Sequence, residues 1–413
     1  MMEGWKTDKF KSQIQYKSGY TWSKEQELKI QEPNSVRVLT VTNIQKELDL
    51  SEELYLQGVS EKDKKEKAVS KDWCIAVSSN GNRKRIGNAV FIKDDTDYLF
   101  ASFLTAFKPK DNSDILPDYF FRWLTSHNVQ ERITSVSEGT TGLGNLDIRY
   151  LRNMDIHFPE KQEQTAIAAI LSKVDEAIAS VQASISAAER LKKSLMQNLL
   201  TGRLKPDGTL RKEDEFYLDE KFGRVPKGWK VKKLGQLFSI KAGGDLQEEH
   251  YSPIKDATHT YPVFSNSLDN NGLYGYTSNP RFHAKESITI TGRGGVGHPE
   301  YRRGDYDAII RLISLIPLQL DTVDCKFVCY YIGRYVHFAL ESTGVPQLTC
   351  PKVFSTKIMI PIDLKEQCKI GEVIHHFDAS IKEKQNKIAV LERLKKSLMQ
   401  NLLTGKVRVN KNK

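Results

Sequence analysis

The chain has 413 residues, 62 Lys and Arg against 52 Asp and Glu, a net charge of +10 and five cysteines. Its length calls for two or more domains, each with its own core, and its basic balance favours a polyanionic partner. Cys74, Cys325, Cys329, Cys350 and Cys368 form neither a zinc pattern nor a disulfide framework, no stretch approaches the ~20 apolar residues that span a membrane, and no apolar run with a cleavage site opens the chain, so a reducing cytoplasm and no membrane partner are expected.

In chain order, Gly4-Trp5-Lys6 and Lys17 to Gly19 open a first domain. Residues 59–70 are almost all charged or small and read as a solvated loop or helix face. Trp73 to Val77 reads as a strand and runs into the polar, basic loop Ser78 to Arg85. A second polar loop carries Thr140, Thr141 and Asn145. After Pro159 the apolar positions Ile167, Leu171, Val174, Ile178, Ile185, Leu191, Leu195 and Leu199 recur at spacings of three and four, the seam of a coiled coil. The helix is expected to stop at Thr201-Gly202, where glycine suits a helix C-terminus. About 40 residues rising about 1.5 Å each give a rod of roughly 60 Å. Leu204 to Gly228 is polar, charged and proline-bearing, and reads as a linker.

The order then repeats. Gly228-Trp229-Lys230 and Lys241 to Gly243 echo the opening; Ser287 to Thr291 reads as a strand followed by Gly292-Arg293-Gly294-Gly295; Ser342, Thr343 and Gln347 occupy the place of the second polar loop. A second helix runs from about Lys365 to Gly405, with apolar positions at Ile370, Ile374, Phe377, Ile381, Ile388, Leu394, Leu398 and Leu402. Arg190 to Gly202 returns letter for letter as Arg393 to Gly405, 203 residues further on. A repeat of this length without a mismatch means two equivalent halves. One departure stands in the seam, where Val181 corresponds to Lys384. Residues 20–140 and 244–342 share almost no letters, so the mounts are alike and the working surfaces differ. The fold expected is α/β (α+β): two globular domains separated by two long helices that form an antiparallel coiled coil, with a pseudo-twofold internal repeat. The boundaries are 1–158 and 227–361 for the domains, 159–203 and 362–406 for the helices, 204–226 for the linker and 407–413 for a basic tail.

Catalytic signatures fail inspection. Gly292 to Gly297 is glycine-rich, but His298-Pro299 follows where a phosphate loop needs Lys and Ser or Thr. Asn279-Pro280-Arg281-Phe282 is one letter from the Asn-Pro-Pro-aromatic motif of amino-methylating DNA enzymes; Arg281 changes that loop and no cofactor-binding half accompanies it. Cys325 and Cys329 could share a helix face without further ligands, and His375-His376 reads as a surface or packing pair. The residues suited to DNA are in the loops. Arginine grips guanine and asparagine grips adenine with paired hydrogen bonds, and glycine lets a backbone approach a groove. The candidates are Asn80, Asn82, Arg83, Lys84, Arg85, Thr140, Thr141 and Asn145 in the first half. In the second they are Ser265, Asn266, Arg293, Thr343 and Gln347, with Arg302 and Arg303 as phosphate contacts.

Val225-Pro226-Lys227-Gly228-Trp229 with Leu234, Pro159 with Glu163-Gln164, Pro361 with Glu366-Gln367, and the twin Leu-Met-Gln-Asn-Leu-Leu-Thr-Gly helix ends together resemble the specificity subunit of type I restriction-modification enzymes. The likeness covers both halves; Met1 to Trp5 departs from it by lacking the proline. It implies two target-recognition domains, each reading one part of a split, asymmetric site in double-stranded DNA. It implies that the repeated helices set the gap and dock two methyltransferase (M) subunits, with Leu191, Leu195, Leu199, Leu394, Leu398 and Leu402 as the partner-binding positions. Restriction (R) subunits would join through these. The chain would hold no metal or cofactor and catalyse nothing, while S-adenosylmethionine, ATP and Mg would belong to the partners. Two other classes stay open: a stand-alone nuclease with duplicated recognition arms, which metal-dependent cleavage by the isolated chain would reveal, and a coiled-coil adaptor that binds no DNA, which salt-independent interactions would reveal.

Overall fold

A computed structural model describes residues 4–137, 144–338 and 347–409. The chain divides into two compact units. The first takes in residues up to Gln182 together with those from Asn386 onward, and the second runs from Ala183 to Gln385. Both boundaries lie within the long helices, so each unit owns half of each helix.

The helices are Lys161–Leu199 and Leu364–Leu402, each of 39 residues. Their ends are built alike. Gly202 and Gly405 take φ of +67° and +68°, a left-handed conformation that suits glycine, and Leu204 and Val407 then donate their N–H to the carbonyls of Asn198 and Asn401. Their starts also match. The Gln164 amide donates to the Pro159 and Asp114 carbonyls and accepts the Leu116 N–H at 2.8 Å. The Gln367 amide does the same with Pro361, Thr322 and the Asp324 N–H, also at 2.8 Å. Each buried glutamine thus stitches its helix to the domain before it.

Antiparallel pairing follows from ion pairs inside each unit. In the first, Asp175 meets Lys395 at 2.6 Å and Glu163 meets Arg408 at 2.7 Å. In the second, Lys192 meets Asp378 and Glu366 meets Arg211. Rising numbers on one segment pair with falling numbers on the other. Asp175 and Asp378 are repeat-related, as are Lys192 and Lys395, so one Asp–Lys contact occurs once per unit. The apolar seam buries Ile167 and Leu171 in the same core as Leu402 and Leu403 in the first unit, and Leu199 and Leu200 in the same core as Ile370 and Ile374 in the second. Each such residue contributes roughly 1.5–3 kcal/mol on burial.

The globular parts share one topology despite their unlike letters. A four-stranded sheet has the order Ile14–Ser18, Leu104–Pro109, Cys74–Val77, Ala89–Phe91 in the first unit and Phe238–Ala242, Ile313–Pro317, Glu286–Ile290, Pro299–Arg303 in the second. A second four-stranded sheet in each unit includes one parallel pair, Val36–Leu39 with Leu99–Phe100 and Tyr261–Phe264 with Asp307–Ala308. A third pairing closes each domain against its helix: Lys6–Lys9 with Asp155–Phe158, and Trp229–Lys233 with Lys357–Pro361. These strands need only apolar faces at a period of two, which many sequences satisfy.

One local expectation differs from the structure. Residues 204–226 are no plain linker, since Phe216–Asp219 and Gly223–Pro226 form a hairpin. Of the two forms expected for residues 59–70, the structure has the solvated helix: Glu61–Lys67, capped by the Ser60 hydroxyl, which accepts the Asp63 N–H. Cys325 and Cys329 do share the helix Cys325–Tyr335 and are buried in the core; burial pushes the Cys329 thiol up to about 12. Among the described residues no cluster of His, Cys, Asp and Glu could hold a metal ion, and no helix is long and apolar enough to cross a membrane.

Candidate nucleic-acid interface

In the first unit the strand Cys74–Val77 leads directly into the polar loop. Ser79–Asn80 pairs with Gly144–Asn145, and the Leu146 N–H donates to the Ser78 carbonyl at 2.8 Å, so the two predicted loops meet. The Asn80 carboxamide oxygen accepts the Asn82 N–H at 2.8 Å, and that of Asn82 accepts the Lys84 N–H at 3.1 Å. These bonds shape a single helical turn, Arg83–Arg85. Asn82, Arg83, Lys84 and Asn145 are exposed around it, and the stem of Arg83 lies against Gly144. Arg85 differs. Its guanidinium turns inward and donates to the Val41 and Ile44 carbonyls at 3.0 and 2.7 Å. It is a strut for a neighbouring loop, and the expectation that it grips a base does not suit its placement. Thr140 and Thr141 lie outside the described residues.

In the second unit the strand Glu286–Ile290 leads into Gly292 and Arg293. The Leu348 N–H donates to the Gly292 carbonyl at 3.0 Å, and the Arg293 guanidinium lies 3.4 Å from the Gln347 amide oxygen. Arg293 and Gln347 therefore come together, while Thr343 lies outside the described residues. Three other candidates are spent on the fold. Ser265 is buried, its hydroxyl against the Gly272 carbonyl. Asn266 spends both ends of its amide on backbone, accepting the Gly292 N–H at 2.7 Å and donating to the Ile310 carbonyl at 2.5 Å. Arg302, expected at a phosphate, is 7% exposed. It donates to the Thr289 hydroxyl and the Asn271 carbonyl, and stacks 3.7 Å from the Phe264 ring. Burial lowers its pKa, and among the described residues no carboxylate hydrogen-bonds it. A guanidinium enclosed in this way fixes the 264–272 loop and does not neutralise phosphate; Arg303, next along the strand, faces solvent. Arg281, the residue that spoils the methylating-enzyme motif, is held by the buried Asp307 carboxylate at 2.7 and 2.8 Å.

Of the six leucines expected to bind partners, Leu195, Leu199, Leu398 and Leu402 are used in packing within their own units. Leu191 and Leu394 remain 51% and 46% exposed. Sequence reasoning passed over Phe103, Ile310 and Arg311, which border the same loops.

The model of the type I restriction modification DNA specificity domain matches residues 2–190 and again residues 226–393. The chain belongs to that specificity family. Its two matches cover the two halves that the repeat delimits. Among similar members, a putative type I restriction enzyme MjaX specificity subunit of Methanocaldococcus jannaschii is 24% identical over 388 residues, 90% of this chain and 87% of that one. The MjaVIII specificity subunit of the same organism is 24% identical across 74% of each chain. The crystal structure of a type I restriction-modification S subunit from M. genitalium superposes with a TM-score of 0.63 at 18% identity, covering 99% of this chain and 97% of that one. The family fold is thus shared end to end, and family membership makes DNA sequence recognition within a complex the coarse function of this chain.

Proposed function

We propose that this chain is the non-catalytic reading subunit of a type I restriction-modification complex, with each unit reading one half of a split, asymmetric duplex site. The observation that carries this reading is the pairing of one topology with two chemistries. The loops that leave the equivalent strands present Asn82, Arg83, Lys84 and Asn145 in one unit and Arg293 and Gln347 in the other. Unlike donors on like mounts suit unlike half-sites. The two long helices, each shared by both units, set the gap between the halves. Two methyltransferase subunits dock on them and bring S-adenosylmethionine; restriction subunits with ATP and Mg join through those. Exposed Leu191 and Leu394, related by the repeat, offer each methyltransferase subunit an equivalent apolar contact.

The test is to purify the chain with its methylating partner and map modified adenines on random-sequence DNA. Methylation is expected inside one motif with two defined parts and an undefined gap. Adenines modified regardless of their neighbours would refute the reading.

A further inference from the structure

A two-residue turn precedes the central strand of each large sheet, and the topology makes the two turns equivalent. In the first unit Ala101 bridges Tyr20 in parallel and accepts the Leu104 N–H, leaving Ser102-Phe103 at the tip. In the second unit Ile309 bridges Gly244 in parallel and accepts the Leu312 N–H, leaving Ile310-Arg311 at the tip. Both tips display large side chains that the fold does not use. Phe103 is 54% exposed and Ile310 is 50% exposed. Arg311 is exposed and has no hydrogen bond or ion pair among the described residues.

The tips are nevertheless held firmly. The Phe103 carbonyl accepts the N–H groups of both Ser78 and Ser79, at 2.8 and 3.1 Å. Ile310 and Arg311 take φ of +55° and +59°, a conformation costly for any residue with a Cβ and most of all for a β-branched one. The Asn266 amide clamps the Ile310 carbonyl, and the Arg311 carbonyl lies so near Gly292 that a Cβ there would sit 2.9 Å from it. Each tip is therefore stitched by backbone to the loop that carries the candidate DNA-facing residues of its unit. An exposed phenylalanine, and an unpaired arginine on a strained backbone, gain nothing from the isolated fold in return for being held this way.

We propose that these turns are the third element of each reading surface. Arg311 contacts the half-site read by the second unit, and Phe103 makes an apolar contact with bases of the half-site read by the first. Asn266 is a positioning residue that aims Arg311 and touches no base. This inference rests on the function proposed above. Arginine suits a guanine edge through two parallel hydrogen bonds or a phosphate through charge, and an aromatic ring suits a thymine methyl or a base face.

The experiment uses the complete complex with its methylating partner and measures adenine methylation over a library of half-site variants, together with DNA binding at several salt concentrations. Arg311→Ala is expected to lower methylation about ten- to a hundredfold through one half-site only. Phe103→Ala is expected to act through the other half only. Asn266→Ala should reproduce the Arg311→Ala effect, and adding Arg311→Ala to it should cost little more. Loss of discrimination at one base pair that Arg311→Lys fails to restore assigns the guanidinium to a base. A uniform loss with a shallower salt dependence, restored by Arg311→Lys, assigns it to a phosphate. Both outcomes support the contact. Arg311→Ala and Phe103→Ala complexes that keep wild-type melting temperature, partner binding and activity within twofold on every half-site would overturn it. A wild-type complex that methylates no split site would instead defeat the underlying reading.

Discussion

Each unit joins its recognition domain to the paired helices through a repeated aspartate, and the two joints differ in one side chain. In the first unit Asp175 receives Lys395 from the other helix and Arg122 from the domain helix Pro117–Leu124. In the second, Asp378 receives Lys192 from the other helix and the Tyr330 hydroxyl, at 2.7 Å, from the domain helix Cys325–Tyr335. The pair on the mount is kept while the domain supplies its own third group, a cation in one case and a neutral phenol in the other. Burial and the hydrogen bond to Asp378 both push the Tyr330 hydroxyl far up, so it stays protonated and donates. A joint that accepts such different side chains explains how two unlike domains ride on one kind of rod.

The sharpest way to break this comparison is to remove each aspartate. Asp175→Ala leaves the Arg122 guanidinium, whose side chain is 6% exposed, without its principal counter-ion, and is expected to cost about 3 kcal/mol. Asp378→Ala leaves a phenol and a more accessible lysine, and is expected to cost about 1 kcal/mol. Urea unfolding of the full chain measures both, and equal losses would contradict the distinction. A smaller contrast concerns the opening tryptophans. The Trp229 indole N–H donates to Glu366 at 3.1 Å, whereas the buried Trp5 N–H has no partner among the described residues. Trp229→Phe should therefore cost about 1 kcal/mol more than Trp5→Phe, the volume change being common to both.

The smallest effect is in acid. Burial alone would raise the Asp175 carboxyl, but hydrogen bonds and charge from Lys395 and Arg122 outweigh it and hold the group below its ordinary value of 3.8. A lowered folded value means that its stabilisation is complete above the unfolded value and is lost as pH falls through the folded one. Melting curves from about pH 5 down to about pH 2 should show this loss only below the ordinary value, and Asp175→Asn should remove that part of the acid limb. An unchanged acid limb in Asp175→Asn would show that the carboxylate is not the source.

Helix placement and helix ends were legible because they depend on local rules. A seam of period 3.5 and a terminal glycine need no tertiary information, and the observed ends at Leu199 and Leu402 fall within the expected region. The strands at Cys74–Val77 and Glu286–Ile290 were legible as apolar runs. The common topology of the two domains was not, because alternating apolar faces can be written in many letters. The hairpin at 216–226 was hidden because its first strand is largely exposed and charged residues surround it. The candidate site was legible only as loops. A sequence cannot distinguish the struts Arg85, Asn266 and Arg302, whose side chains are spent on backbone or buried, from the exposed Lys84, Arg293 and Arg303, since those contacts are decided by elements far away in the chain. Phe103 stayed hidden inside an apolar stretch, and Arg311 carried no signal beside the more conspicuous Arg302-Arg303.

The most direct test of the central claim, that two separable readers sit on equivalent mounts, is a domain exchange. Residues 227–361 would be replaced by the corresponding segment of a relative with a different half-site, and methylated adenines would be mapped for the complex. The expected result is a new motif in which one half has changed while the other half and the gap are retained. A motif in which both halves change, or in which the exchanged segment changes neither, would contradict it.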